Sequence, residues 1–502
     1  MLELSERETT AILAGIDARV EGERAQALKI LNDPYAVTRA EKPIEVPDEV
    51  GLADALRIAA NHNRDLMTRS EAVILSAVSL RNAQNDVGLR MAGSVNYLLT
   101  GGEDQDRRKS DGTTLSLTDV LPTGAVATVR GSADKGWGTG DTPSSANGFW
   151  EIGIRQPLLS GFGYEASHEQ LTDAEQQALY DVRDFDLSRQ DLAIRVQSDF
   201  YDLVAQARVI KVRETTKVSF QFLKRSSQAL FDVGRASEID KFRAARDYLN
   251  AENDLIDAQQ LFDTRLDRFK ILLGLDTEIA VNIADEIPEP EPFDIPLERI
   301  IDVALVNRLE LMTRRDQVLD AERRLRIREQ ELLPQLDVEA VHRRASENER
   351  RYSDLSYDRD SYSLGLSLEL PLDRVRERGN VRRARINLDR ARRDLALNED
   401  TILAEARDSL RNLRSAEYSF DIQVKIAASE EKNVKIARLR FEQGRITNLD
   451  LTDALTALAD AQIRVIRERA RVASARLQLL RDAGVMFMKE DGSWVDIAQS
   501  QP

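Results

Sequence analysis

Apolar residues recur at three- and four-residue spacing along two long stretches that contain almost no helix breakers. One stretch covers 164–273, where Gly234 is the only glycine or proline, and the other covers 380–483, where Gly444 is the only one. Glycine and proline break helices, and this spacing places the apolar residues on one helix face. Each stretch therefore predicts a long helix, a tight turn and a returning helix, with a coiled-coil rod as the alternative. A helix of roughly 65 residues is about 100 Å long.

Other segments alternate strictly between apolar and polar residues, as a half-buried strand does. In Tyr362–Leu370 the even positions are tyrosine and leucine, and the odd positions are serine, glycine and glutamate. Such strands suit a globular sheet or a membrane barrel with a wet interior. We expect four strands per chain, within about 92–158 and 335–371. The alternating segments are 93–99, 150–156, 335–340 and 362–370.

Polar connections separate these predicted strands. The segments 106–116, 132–148 and 346–360 are rich in Asp, Ser, Gly and Arg, and we interpret them as long loops. Residues 113–131 hold a further possible hairpin about Leu121–Gly124, which either adds strands or forms an external flap. Four strands cannot close a barrel, and open edges in lipid leave unpaired backbone groups at several kcal/mol each. Three chains would supply twelve strands, and their long hairpins would line up as a tube.

Short matches between distant segments predict an internal two-fold repeat. LMTR occurs at 66–69 and again at 311–314, and the glycine-arginine pair at Gly234 recurs at Gly444. Each copy comprises a helix, strands, a very long helix, a turn and a returning helix. The predicted parts are an N-terminal extension 1–48 with a helix about Glu6–Leu28, a first repeat 49–285 with its hairpin at 164–274, a proline-rich linker 286–297, a second repeat 298–486 with its hairpin at 378–484, and a tail 487–502.

Composition excludes several classes of function. The chain has 71 Lys+Arg and 87 Asp+Glu, a net charge of −16, which repels nucleic acid phosphates. It has no cysteine, so it has neither disulfides nor thiolate metal sites. Its three histidines, His62, His168 and His342, are far apart in sequence. Catalytic motifs are also absent from the sequence, so we expect no enzyme, no cofactor and no metal.

The N-terminus, MLELSERETTAILAG, lacks the basic start and apolar core of a signal peptide. Two interpretations follow. Either a targeting segment has been removed from an exported protein, or the protein is a cytosolic coiled-coil scaffold without a transport role.

Three motifs make the chain resemble the TolC-like outer membrane efflux protein family over about 50–486. They are RQPLLSGFGY at 155–164, LFDVGRASEIDKFRAA at 230–245, and RFEQGRITNLDLTDALTALADAQ at 440–462. The resemblance implies a homotrimer, whose twelve-stranded barrel sits in outer-membrane lipid and continues into a periplasmic α-helical barrel. It implies a passive conduit that works with a periplasmic adaptor and an inner-membrane pump. The cargo, the pump class and the resting state of the tip stay open.

The resemblance also assigns roles to residues at the hairpin turns. Gly234, Arg235, Gly444, Arg445 and Ile446 would form the tips that contact the adaptor. The simpler alternative is that the two glycines only make a turn, because the residue that follows a helix often takes positive φ.

Acidic residues after the turns would form a pore constriction. By the resemblance, Asp450 and Asp453 would point into the tunnel, and three chains would give two rings of carboxylates. Asp240 is the equivalent of Asp450 in the first copy, and relatives pair it with a basic residue at the position of Ile446. Ile446 is thus a departure that puts the closing network in doubt, with Arg445 or Arg235 as the alternative basic partner. The alternative is a solvated acidic face at a helix start, where aspartate is favoured.

A last group of residues marks the passage from strand to helix. Pro157, Gly161 and Gly163 follow the alternating segment 150–156, and Pro371 follows 362–370. We interpret them as a tight junction between barrel and helix.

Overall fold

The structure, a computed structural model, describes residues 46–102, 105–138, 144–289, 295–489 and 492–495. The predicted helix about Glu6–Leu28 lies outside the described residues. The chain divides into two compact units. The sheet unit contains the described residues of 72–182 and 313–396, and the hairpin unit contains those of 46–71, 183–312 and 397–495.

Helices make up most of the described chain, as the glycine- and proline-free stretches predict. Two of them, α4 with 64 residues and α8 with 68, are each about 100 Å long. Among the described residues, no helix is both long enough and apolar enough to cross a membrane. The helices are α1 Leu52–His62, α2 Arg64–Val87, α3 Tyr164–Ser167, α4 Glu169–Asp232, α5 Glu238–Leu273, α6 Leu297–Asn307, α7 Leu309–Gln330, α8 Val375–Glu442 and α9 Asn448–Asp482.

The sheet unit holds six antiparallel strands in the order β1-β2-β3-β4-β5-β6, each paired with its neighbours in sequence. They are β1 Arg90–Gly102, β2 Gln105–Val120, β3 Val126–Gly138, β4 Ser145–Pro157, β5 Gln335–Glu349 and β6 Arg359–Glu369. A separate two-stranded ribbon, β7 Phe487–Met488 with β8 Trp494–Val495, lies in the hairpin unit.

The expectation of four strands per chain is wrong, because the possible hairpin at 113–131 is a full strand pair. β2 and β3 extend well beyond it, so all of the predicted loop 106–116 is strand, as are 132–138 and 145–148 of the predicted loop 132–148. These segments were predicted as loops because they are polar. On both strands, serine, threonine and glycine alternate with only a few apolar residues, such as Leu115, Leu117 and Val129. Antiparallel pairing of β2 with β3 over thirteen residue pairs compensates for this weak pattern.

Register divides the sheet into one apolar and one polar face, since directly opposite residues share a face and neighbours alternate. Leu366 lies opposite Val338, and Ser367 lies opposite Asp337. The predicted separation of leucines from serines on β6 therefore extends across all six strands. The apolar face includes Met91, Val95, Leu115, Leu117, Val129, Ile152, Ile154, Val338, Leu364, Leu366 and Leu368. The polar face includes Ser94, Asn96, Thr114, Thr128, Arg130, Glu151, Arg155, Asp337, Glu339, Ser363, Gly365 and Ser367.

The hairpin unit packs around several apolar clusters along its helices. The largest cluster contains Phe200 and Phe269, both fully buried, at the end of α5 distant from the turn. A second cluster, the tip core, lies beside the two turns and joins α4, α5, α8 and α9. Its buried members are Phe220, Leu223, Ala251, Val434, Ala437, Leu451, Ala454 and Leu455. The tip core fixes the turns relative to each other within this unit.

Candidate functional site

The first helix tip, between α4 and α5, is built around one glycine in the left-handed region. Gly234 has φ of +73° and donates its N–H to the carbonyl of Phe231, 2.8 Å away. Arg235 donates its backbone N–H to the carbonyl of Leu230 at 2.7 Å. These bonds satisfy carbonyls at the end of α4, and a side chain at Gly234 would be strained at this φ.

The second tip, between α8 and α9, repeats this pattern 210 residues later. Gly444 has φ of +69° and donates to the carbonyl of Phe441 at 2.9 Å. Arg445 donates its backbone N–H to the carbonyl of Arg440 at 2.8 Å. The structure thus places the predicted tip glycines in turns of the same kind, each followed by an exposed arginine.

Each returning helix begins with a reciprocal capping box. Ser237 caps α5 with Asp240, and Thr447 caps α9 with Asp450. The Asp240 carboxylate accepts the Ser237 hydroxyl at 2.6 Å, and the Asp450 carboxylate accepts the Thr447 hydroxyl at 2.7 Å. Both aspartates therefore cap the start of a helix. This structural role fits the alternative to a constriction, an acidic face at a helix start.

Asp450 and Asp453 differ in their surroundings although both are exposed. The hydroxyl and the backbone N–H of Thr447 donate to the Asp450 carboxylate and hold its pKa below the ordinary value. Asp453 lies three residues further along α9, and no described residue forms a hydrogen bond or ion pair with it. Of these two carboxylates, Asp453 is therefore the one that takes no part in capping α9.

A polar contact that the sequence analysis missed joins the two tips. Asn448, the first residue of α9, is 5% exposed and donates its amide to the backbone carbonyl of Asp240 at 3.1 Å. Ile446 packs against the tip core and so contributes an apolar contact where relatives were expected to carry a basic residue. Asn448 is visible in the sequence only as a polar residue at a helix start, and nothing there indicates its partner.

The junction from β4 to α3 is a compact set of glycines. Pro157 is the last residue of β4, and Gly161 and Gly163 follow with φ of +84° and +90°. Gly163 donates its N–H to the carbonyl of Thr123, in the turn between β2 and β3, at 2.9 Å. A Cβ on Gly124 in that turn would lie 2.6 Å from the Gly161 carbonyl oxygen. The β2–β3 turn is thus packed against the junction.

The second junction lies between β6 and α8, and an arginine braces it. Pro371 follows β6, and its carbonyl accepts a hydrogen bond from the Arg374 guanidinium at 3.2 Å. The same guanidinium donates to the carbonyl of Leu332 at 2.7 Å, ahead of β5. Arg374 therefore ties both ends of the β5–β6 hairpin together.

Charges on the polar face of the sheet are paired across strands. Arg155 of β4 and Asp337 of β5 form an ion pair at 3.0 Å, and the Arg343 guanidinium lies 3.9 Å from the centre of the Phe149 ring. Asn147 donates to Asp134 at 3.1 Å between β4 and β3. These contacts give the polar face paired charges of both signs.

The side chains of the described residues offer no group of ligands for a metal ion. Within the described ranges, no group of three or more His, Cys, Asp or Glu side chains could hold a metal ion. A cavity of about 200 Å³ lies beside the tip core and is lined by Asp247, Asn250 and Thr452 among others. The Asp247 carboxylate there accepts from the adjacent Arg246 at 2.8 Å, so its charge is already matched.

The second half of the chain matches a known protein family. Residues 300–485 match the model of the family described as Outer membrane efflux protein. This span lies within the predicted second repeat, 298–486. No curated protein matches the chain.

Several solved outer-membrane proteins share the fold. The chain is 14% identical to the channel OprN over 86% of this chain and 89% of that one, with a TM-score of 0.66. It is 15% identical to CmeC of Campylobacter jejuni over 90% and 87%, with a TM-score of 0.67. It is 13% identical to VceC of Vibrio cholerae over 86% and 96%, with a TM-score of 0.66.

The comparisons confirm the predicted resemblance to the TolC-like family. Residues 300–485 match the outer membrane efflux protein family, and the chain has the fold of solved outer-membrane proteins.

Proposed function

We propose that this protein is a homotrimeric outer-membrane channel, a passive conduit from the periplasm to the exterior. In this proposal the sheets of three copies close into a barrel in the lipid, and the long hairpins form a periplasmic tunnel. A periplasmic adaptor and an inner-membrane pump dock at the hairpin tips. The chain itself carries out no chemistry.

The observation that carries the proposal is the two-faced sheet, whose two edges are unpaired among the described residues. Its apolar face exposes large side chains such as Val95, Ile152 and Leu366, while its polar face carries serine, threonine and paired charges. A soluble protein would leave this apolar face in water at a cost of about 25 cal/mol per Å². A membrane barrel needs an apolar outside, a polar inside and no open edge.

The tips suit contact with partner hairpins. Each combines an exposed glycine turn with an exposed arginine, Arg235 in one and Arg445 in the other, at the end of helices about 100 Å long. Three copies would present six such tips at one end of a tunnel. Gly234, Gly444 and Ile446 would shape the surface, and the arginines would supply charge-assisted hydrogen bonds to an adaptor.

The acidic constriction is also part of the proposal, with unequal roles for its members. Asp453 is exposed and free of the cap, so three copies would bring three such carboxylates together. Asp240 and Asp450 hold their own helix starts and would add charge at fixed positions. Such rings favour cations.

Purification from outer membranes followed by mass measurement in detergent tests the assembly, and recording in planar lipid bilayers tests the conduit. We expect a mass of three chains plus detergent and discrete conductance steps. A monomer that stays in solution without detergent and gives no conductance would overturn the proposal and favour the scaffold. A heat-dissociated sample serves as the control for conductance.

A further inference from the structure

We propose that β6 of one copy pairs with β1 of the next copy, so that three copies close an eighteen-stranded barrel. This inference rests on the proposed function, and it replaces the twelve strands that four per chain would give. It follows from three features of the sheet unit: its strand count, its two open edges and its register.

In the part of the chain that the structure describes, both edge strands lack a partner on one side. β1 and β6 end the sheet order, and every residue of β6 is exposed, as are Arg90–Thr100 of β1. The strands of the sheet alternate in direction, and with six strands β1 and β6 run in opposite directions. Joining β6 to the β1 of another copy therefore continues the same antiparallel meander without a break.

The faces of the two edge strands restrict how they can pair. Apolar residues occupy odd positions of β1, as in Met91, Val95 and Tyr97, and even positions of β6, as in Leu364 and Leu366. A register that mixed these sets would place leucines in the wet interior. Two registers keep the faces and pair all eleven residues of β6: one sets Arg90 opposite Glu369, and the other sets Ala92 there.

The first of these registers also matches charge. Arg90 and Glu369 lie at the helix-connected ends of β1 and β6, and both belong to the polar face, where Arg90 lies opposite Thr118 and Glu369 lies opposite Gln335. Directly opposite charges of unlike sign stabilise an antiparallel pair, so this register is the favoured one of the two.

Strand tilt gives an independent check on the proposed pairing, because the register of the strands sets the tilt of a closed barrel. Following opposite residues across the sheet from Ser94 leads through Thr114, Ser132, Phe149 and Ala345 to Arg359. Under the register that sets Arg90 opposite Glu369, the next copy places Thr100 beside Arg359, six residues along β1 from Ser94. Six residues over six strands is a shift of one residue, ~3.3 Å along the strand, for each strand crossed. Adjacent strands are ~4.8 Å apart, and the ratio of the two distances corresponds to a strand tilt of about 35°. The other register gives about 42°, and closed barrels tilt by roughly 35–45°.

The consequence is a wide outer exit. Barrel diameter grows roughly linearly with strand number, so eighteen strands make an opening about half again as wide as twelve. Barrels of about 16–18 strands leave an aqueous channel. The β2–β3 hairpin, whose turn packs on the junction glycines through Thr123, would then be a part of the channel wall.

Disulfide trapping tests the pairing, because the chain has no cysteine of its own. The variant Ser94→Cys with Gly365→Cys probes the contact between copies, and Asn96→Cys with Gly365→Cys probes the alternative register. Ser94→Cys with Thr114→Cys is the matched control within one copy, since these residues are opposite. A third set of variants probes a four-stranded arrangement in which β1 contacts β4 directly. It combines Ser94→Cys with Phe149→Cys, Glu151→Cys or Gly153→Cys on β4.

We expect linked dimers and trimers on non-reducing gels from one of the two pairs with Gly365→Cys, and a linked monomer from the control. A link from Ser94→Cys to any β4 position would overturn the inference, because three strand spacings, about 14 Å, are too far for a disulfide. Images of the wild-type trimer in detergent would show eighteen strands and need no substitution. A trimeric conducting channel with twelve strands would refute the inference and leave the proposed function standing, whereas a soluble monomer would refute both.

Discussion

Asn448 donates its side-chain amide to the backbone carbonyl of Asp240, 3.1 Å away, and so joins the starts of two helices that lie 208 residues apart in sequence. The bond is nearly sealed from solvent, since Asn448 is 5% exposed. It links the two tips of the predicted repeat at the point where an adaptor is proposed to dock. The tip core packs beneath the same helices and includes Leu451, one turn further along α9.

Replacing Asn448 with alanine should loosen the two tips against each other. The lost hydrogen bond is worth about 0.5–1.5 kcal/mol, and the change leaves the cap of α9 intact. We expect faster amide hydrogen exchange in residues 235–245 and 444–452, with unchanged exchange in the sheet. Thr456→Ala is the matched control, because its exposed hydroxyl bonds only to its own helix at Thr452. Equal exchange in the two variants would show that the bond does not hold the tips together.

The cap of α9 should make the stability of the tip depend on pH. The Thr447 hydroxyl and N–H keep the pKa of Asp450 below its ordinary value, so the folded state favours the charged carboxylate. Its contribution to stability is fully present above the unfolded pKa of about 3.9 and is lost as the pH falls through the lower folded pKa. We expect Asp450→Asn to be less stable than the wild type at pH 7, with the two converging below about pH 4. Thermal unfolding measured across this range checks the sign, and Asp453→Asn, which removes no cap, should show no such convergence.

The helical hairpins could be predicted from the sequence because their signal is local. Gly234 and Gly444 interrupt long stretches without other breakers, and the structure places both at positive φ in the turns. The β2–β3 pair was harder to predict from the sequence, because its first strand begins with Gln105–Lys109, which shows no alternation of apolar and polar residues. Its stability comes from ladder bonds to β1 and β4, and a non-local pairing of this kind leaves little trace in either strand alone. The Asn448–Asp240 contact could not be predicted either, because it too joins residues that are far apart in sequence.

The two faces of the sheet should respond differently to a charge. Leu366 and Ser367 are neighbours on β6 but lie on opposite faces, facing Val338 and Asp337 across the strand pair. If the apolar face contacts lipid near the midplane, Leu366→Arg should destabilise the barrel by about 2–4 kcal/mol. Ser367→Arg is the matched control and should cost much less, since its guanidinium lies on the wetted face near Asp337. Folding titrations into lipid vesicles measure both, and equal costs would contradict the assignment of the faces.

Asp453 offers the clearest test of the acidic constriction, because it carries charge at the tip without serving as a cap. If α9 lines the tunnel, three copies bring three Asp453 carboxylates near the axis, and their field attracts cations. Asp453→Asn should therefore lower the preference for cations and weaken block by trivalent cations in single-channel recordings, with little change in trimer stability. The difference from the wild type should shrink at high salt, since screening acts over about 3 Å at 1 M and about 10 Å at 0.1 M. Asp421→Asn is the control, because this exposed aspartate on α8 lies about 30 Å from the tip and beyond the screening length. If both variants conduct and select as the wild type does, Asp453 lies on an outer, solvated face of the helix and not in the tunnel.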